Sequence, residues 1–555
     1  MTQSGPRAPL ATAAAIAAIV AFTAGRSTGS ARQGAEPSAR YEDLVTLFSD
    51  WRGFQKPTLV DGVPDYTAGA MTAQHAALTT YRRRLDAVDP RGWPIDRQVD
   101  YHVVRAEMNG LDFDHRVLKP WANNPAFYVT VFPDESDQPA REGPFSYGGV
   151  DLWTYRFPLS SGDTASVDAG IRIIPRLLDQ ARTNLVGNGR DLWTYGASSI
   201  RQQSADLAGL ASRLPATAAD LKNDVDRAKA ATDRFAAWLD SQAPSKTGQS
   251  GVGVDNYNWY LTHVQLVPRT WRDEVTIMER ELARSHAFLA FEEKRNEQLP
   301  PQAIVSSAEE HARRFNSAVT EYMAFLKNHD LLTVNEYLGP ALRARIGSFS
   351  AGPREFFTEV DYRDPEVMRT HGYHWFDKAW MRHTPHPSPV RKGALLYNIF
   401  NTRTEGHATG WEELMLQAGM FDARPRSREL IYILLAERAA RALGDLRMHS
   451  NEFTLEQAAA FASAETPRGW LSLSGGLVRG EQHLYLQQPG YGTCYVIGKI
   501  QFERILATRR RQLGDRFSMK AFMDEFDAAG LVPMSLLEWQ VTGELPEDTR
   551  QMLAN

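Results

Sequence analysis

The sequence contains no His-Glu-x-x-His segment, the arrangement that sets two imidazoles one helical turn apart with a carboxylate beside them as base. Any metal must therefore be held by a less usual set of ligands. There is also no Gly-rich phosphate loop, no G-x-S-x-G elbow and no zinc-ribbon cysteine spacing. Cysteine is nearly absent. Cys494 is the only one, so no intramolecular disulfide can form, and a small buried filler is its expected role. Positive charge is not in surplus: 62 Lys and Arg face 67 Asp and Glu, a net charge of -5 that argues against nucleic acid as a partner. The runs Arg82-Arg83-Arg84 and Arg509-Arg510-Arg511 are short enough to read as solvated helix faces.

Long apolar runs are missing as well. Leu10 to Ala24 is apolar but short for a membrane span, and it follows a positive Arg7. Residues 1–30 are expected to be a bacterial Sec-type signal peptide, with Thr23, Ala24 and Gly25 near the cleavage zone. No cysteine follows that could carry a lipid. No other stretch is long and apolar enough to span, so the mature chain is expected in the periplasm or secreted, with no membrane span. Residues 31–40 read as a disordered leader rich in small and polar residues.

What is present points to helices. At 555 residues and 43% hydrophobic content the chain can bury a large core. Thr270 with Asp273 signals a helix start, with Val275, Met278, Leu282 and Leu289 on one face. Ser306 with Glu309 signals another, carrying His311, Phe315, Val319, Tyr322 and Leu326. Further helices are expected over Thr404–Met420, Ser427–His449, after Thr454 and over Ser518–Ala529. The fold class is mostly α, a large multi-helix body with few or no strands. Residues 41–250 form an N-terminal helical region and residues 251–555 a C-terminal one bearing the candidate site.

The chemistry-bearing residues cluster in that C-terminal region. His371 and His374 are three apart, a spacing at which two imidazoles on a helix can share a metal, with Asp377 one turn on to orient one of them. Glu405 and Glu412 are two turns apart on an apolar, buried-looking helix, where carboxylates need partners. Arg438, Arg441, Asp445 and His449 descend one helix face. They form either a salt-bridge ladder or a grip on a substrate carboxylate. Tyr485, Pro489-Gly490-Tyr491-Gly492 and Tyr495 make a loop running into a helix, able to aim a phenol at an oxyanion or to pack as aromatics.

The order Glu405-Gly406-x-Ala408, Arg441-x-x-x-Asp445-x-x-x-His449 and Tyr485-x-x-x-Pro489-Gly490 resembles the bacterial domain-of-unknown-function 885 family. The resemblance implies a helical layout similar to zinc carboxypeptidase-like metallopeptidases. It also implies a site pairing a His-Glu-x-x-Pro-Gly-His segment with the Glu of a later Glu-Gly-Trp segment. Here the first segment reads Val367 to His374 without its first His and Glu, and His407 replaces the Trp. The reading that follows is an exported metallopeptidase-like hydrolase acting on a peptide or small amide. Zinc is held by His371, His374 and Glu405, Glu412 is the substitute base, and Tyr491 or Tyr495 is the oxyanion donor. Arg441, His449 and Tyr485 bind the substrate. Its rival is an inactive pseudoenzyme serving as a periplasmic binding or scaffolding protein. A third reading, non-peptidase metal chemistry, follows from His407. Oligomeric state is not legible.

Overall fold

The computed structural model describes residues 40–397 and 399–554. The expected signal peptide, and the expected leader apart from Arg40, lie outside the described residues. Among the described residues helices dominate, and the strands are four pieces of two residues each. The chain is mostly α. Leu59–Val60 pairs antiparallel with Val63–Pro64, and Val131–Phe132 pairs parallel with Val150–Asp151. The second pair clips together the two ends of a segment, residues 133–149, that has no regular structure.

Local chemistry sets most helix ends. The Thr270–Asp273 capping box opens Trp271–Arg295, and the Thr454–Gln457 box opens Leu455–Glu465. Ser518 caps Met519–Ala528. The helix expected after Ser306 begins one residue later. Ser307 accepts from the Glu310 N–H and caps Ala308–Asn328, while Ser306 holds the Glu310 carboxylate. The Ser427 helix starts earlier, at Pro425–His449, because proline suits the first helical position. The Thr404 helix is Asn401–Gln417, almost wholly buried. Tyr491 and Tyr495 do not lie on a loop. Tyr491 opens the long helix Tyr491–Leu513, entered through Gly490, whose φ of 81° suits a residue without Cβ.

The described residues form one compact unit. Its larger core joins Tyr41–Phe54 and Ile95–Phe113 to the helices beyond residue 257, so the first helices are buried against the last ones. A second core, from Val63 to Leu239, lies within the N-terminal region. Asn401–Gln417 packs on Tyr491–Leu513, and Trp271–Arg295 packs on Pro425–His449. Asn401–Gln417 carries Glu405, the buried carboxylate at which His371, His374 and Tyr491 meet.

Candidate metal centre

Glu405 is that carboxylate, 3% exposed on the buried helix Asn401–Gln417. His371 is the last residue of Pro365–His371, and His374 lies in the first turn of Tyr373–His383. The two histidines therefore sit across a break at Gly372 and not on one continuous helix. Their rings still meet, with centroids 4.9 Å apart and planes nearly perpendicular. His374 Nε2 lies 3.2 Å from Glu405 Oε2, and His371 Nε2 lies 4.0 Å from the same oxygen. One ligand atom from each of the three residues falls within 4.8 Å of the others. Two ligands of a tetrahedral zinc are roughly 3.3–3.6 Å apart, given bonds of about 2.0–2.2 Å, so this donor set could close on an ion with small side-chain shifts. His374 Nε2 is buried with no hydrogen-bond partner, which leaves a donor atom aimed into the gap.

The charges around the gap are strongly coupled. Burial alone would lower the His374 pKa, but the Asp137 and Glu405 carboxylates outweigh it and hold the imidazole up at about 9. Burial would raise Glu405, but His374, His371 and the Tyr491 hydroxyl bring it down to about 2.

Glu412 has a different place from the one expected of a base. It is fully buried, and Arg438 grips both its oxygens, at 2.7 and 2.8 Å. His371 Nδ1 lies 2.9 Å from Glu412 Oε1. A proton on Nδ1 satisfies Glu412 and turns the Nε2 lone pair toward Glu405, the way a carboxylate orients a metal-binding histidine. A carboxylate held bidentate by an arginine and kept below its usual pKa is a poor proton acceptor, so the geometry makes Glu412 a positioning group.

The Tyr491 hydroxyl lies 2.8 Å from Glu405 Oε1 and 2.6 Å from Glu142 Oε1. One hydroxyl has one hydrogen, so the second contact needs a proton on Glu142. Burial and the Asp137 and Glu405 charges push that carboxyl up to about 8, which fits. Gln138 Nε2 donates to Glu405 Oε1 at 2.7 Å, and Thr404 Oγ1 donates to Gln138 Oε1 at 2.6 Å. Three functional groups of the 133–149 segment thus reach the Glu405 hub. Sequence reading missed them because Gln138 and Glu405 are 267 residues apart and the segment has no helical period. The cluster Asp134, Glu135, Asp137 and Glu142 was the one available hint.

The other expected site residues are engaged elsewhere. Asp377 pairs with Arg403 at 3.1 Å, not with a histidine. His407 is fully buried among Tyr373, Phe502 and Phe526, and burial with Arg403 holds its pKa well below the usual value. It packs as an aromatic and takes no part in the Glu405 cluster, which removes the ground for a His407 metal chemistry. Arg441 does not pair with Asp445. It binds Glu437 and Glu481 at 2.7 and 2.5 Å, beneath the rings of Tyr485 and Tyr495. The Tyr485 hydroxyl donates to Glu481. Asp445 accepts from the Gly492 N–H, fixing the start of the Tyr491 helix. Cys494 is buried, as a filler would be.

His449 is a clamp. Its Nδ1 accepts from the Val252 N–H and its Nε2 donates to the Tyr485 carbonyl, which requires the neutral ring. Burial pushes its pKa to about 4, and burial does the same to His483. An unfolded histidine titrates near 6.5, so below that pH the unfolded chain takes up protons that the folded chain refuses. The His449 and His483 contribution to stability should be level above pH ~6.5 and fall by a few kcal/mol as pH drops toward ~4. Urea midpoints across this range check it, and His449→Gln should flatten part of the slope. Wild-type and His449→Gln midpoints that run parallel from pH 7 to 4 would contradict the neutral clamp.

Residues 372–541 match the model of a family described as a bacterial protein of unknown function, DUF885. Over these residues the chain is similar to the DUF885 family. The DUF885 segment contains His374, Glu405, Glu412, Arg438 and Tyr491, and begins one residue after His371. Asp137, Gln138 and Glu142 lie outside it. The chain is similar in fold to a candidate lipoprotein of unknown function from Shewanella oneidensis, with a TM-score of 0.67 and 15% identity over 91% of this chain and 100% of that one. A second candidate lipoprotein, from Colwellia psychrerythraea, gives a TM-score of 0.62 and 13% identity over 91% and 99%. The likeness therefore extends well beyond the DUF885 segment. No curated protein matches the chain. No helix among the described residues is long and apolar enough to cross a membrane.

Proposed function

We propose that the chain is an exported metal-dependent hydrolase acting on a peptide or small amide, with zinc held by His371, His374 and Glu405. One observation carries this reading: three ligand atoms from three helices converge within 4.8 Å, and one of them, His374 Nε2, lacks a hydrogen bond. When bound, zinc would lower the pKa of a coordinated water and polarise a carbonyl. The chain's own groups prepare the place. Glu412 and Arg438 fix the His371 ring, and Gln138 and Tyr491 fix Glu405 Oε1, leaving Oε2 toward the histidines. A cavity of about 590 Å³ lined by Gln138, Glu142, Arg141, Trp153, Lys378 and Arg382 offers an approach. Its bases are paired with acids of the same lining, Arg141 with Asp151 and Lys378 and Arg382 with Glu135.

The export part of the reading rests on the Arg7 and Leu10–Ala24 pattern, and the similar solved chains are described as candidate lipoproteins.

The rival reading, a periplasmic binding protein that keeps the pocket without the chemistry, is favoured by the Arg438 grip on Glu412 and by the segment lying over Glu405. Metal analysis of the purified full chain, combined with a fluorogenic peptide assay, separates the two. The hydrolase reading expects stoichiometric zinc and cleavage that a chelator abolishes and zinc restores. Glu412→Gln should weaken zinc binding about 10–100-fold, as loss of a ligand-orienting carboxylate does. Absence of zinc after reconstitution would leave only the binding protein.

A further inference from the structure

Two more carboxylates lie beside Glu405. Ligand atoms of Asp137, Glu142 and Glu405 all lie within 4.8 Å of one another. Glu405 is therefore common to two triads, one with His371 and His374 and one with Asp137 and Glu142. Ionised together, three carboxylates this close would repel strongly in a partly dry interior, and without an ion to separate them Glu142 keeps a proton. Several other buried acids in this chain have cations: Arg403 serves Asp377 and Asp527, Arg438 serves Glu412, and Lys499 serves Glu281 and Glu413. Here the nearby cations are turned away. Arg141 pairs with Asp151, and Lys378 and Arg382 pair with Glu135. Among the described residues no lysine or arginine forms an ion pair with Asp137, Glu142 or Glu405. The polar contacts are neutral ones: Ser136 Oγ and the Tyr491 hydroxyl on Glu142, and Gln138 Nε2 on Asp137 and Glu405. Among the described residues, the charged groups paired with the cluster are the imidazoles of His371 and His374, on Glu405.

A second observation points to an ion. His374, 2% exposed, aims its unpartnered Nε2 at the shared carboxylate, 3.2 Å from Glu405 Oε2. The acidic segment is also held in place by the protein's own side chains. Thr404 Oγ1 anchors Gln138, and Lys378 Nζ donates to the Ser136 carbonyl at 2.5 Å. The ligands are thus pre-positioned, which removes part of the cost of binding.

We infer that the site holds two divalent cations, the first on His371, His374 and Glu405 and the second on Asp137, Glu142 and Glu405, with Glu405 as the bridging carboxylate. This rests on the zinc-site reading above and extends it. The all-oxygen half suits a hard divalent ion such as Mn²⁺, the nitrogen-rich half a borderline one such as zinc. Ions sharing one carboxylate sit about 3.5–4 Å apart, the spacing of two-metal hydrolases. The second ion would also tie the 133–149 segment to the Asn401–Gln417 helix, closing one wall of the 590 Å³ cavity.

The test uses the full chain, stripped with chelator and titrated with Mn²⁺ alone. The expected result is two Mn²⁺ per chain by calorimetry, with an exchange-coupled multiline signal in electron paramagnetic resonance. Asp137→Asn with Glu142→Gln should reduce the stoichiometry from two to one and abolish the coupling, leaving the first ion in place. These variants remove charge without changing volume, and the wild-type stoichiometry stands by itself should they misfold. One Mn²⁺ per chain, unchanged by the variants, would overturn the second site and leave the first. Two uncoupled ions, or two that survive the variants, would overturn the bridge. No binding at all would overturn both.

Discussion

Arg438→Met should destabilise the protein by about 3–5 kcal/mol, the usual result of removing one partner from a buried ion pair. Arg438 is 1% exposed, and both its terminal nitrogens donate to Glu412, which is fully buried on the neighbouring helix. Without the guanidinium, Glu412 retains His371 as its close partner and has no route to water. It must then stay charged in a low-dielectric interior or take up a proton. Methionine fills most of the volume, so the loss is one of charge and not of packing. Urea unfolding at pH 7 measures the effect. Arg438→Met combined with Glu412→Leu should recover most of it, because deleting both halves removes the buried charge as well. A loss below about 1 kcal/mol for the single variant would mean that Glu412 is solvated and that His371 is not held by it.

Gly498→Ala should cost about 3 kcal/mol, at the upper end for overpacking, because the obstacle is main chain and not a side chain that can swing aside. A Cβ on Gly498 would overlap the Thr402 carbonyl oxygen, and one on Gly406 would overlap the Gly498 backbone. The helices Asn401–Gln417 and Tyr491–Leu513 touch at this pair of glycines. Glu405 and Tyr491 sit one residue and two turns from them, so a helix forced outward also opens the Tyr491–Glu405 hydrogen bond of 2.8 Å. Thermal unfolding and zinc affinity should therefore both fall. Gly209→Ala is the control: it also lies in a helix, and its added Cβ meets open space. Alanine there should stabilise by roughly 0.5–1 kcal/mol. Equal effects at the two positions would show that the close approach at Gly498 is not a real constraint.

The sequence by itself determined the helical class and many of the helix ends. Those signals are local: Thr270 with Asp273, Thr454 with Gln457 and Ser518 each satisfy backbone N–H groups within one turn, so adjacent residues carry the information. It also carried the histidines and Glu405, since imidazoles at short spacing and a carboxylate on an apolar helix are visible without a fold. The tertiary structure decided what each group does. Glu412 and Glu405 look alike on their helix, and only the arrival of Arg438 at one and of His374 at the other separates a positioning group from a candidate ligand. Arg441 and His449 look like a substrate grip along Pro425–His449, until Glu481 and the Val252 N–H, contributed by other segments, satisfy them. Asp137 and Glu142 could not be placed from sequence, because their meeting with Glu405 is a long-range contact between an irregular segment and a buried helix, with no period to reveal it.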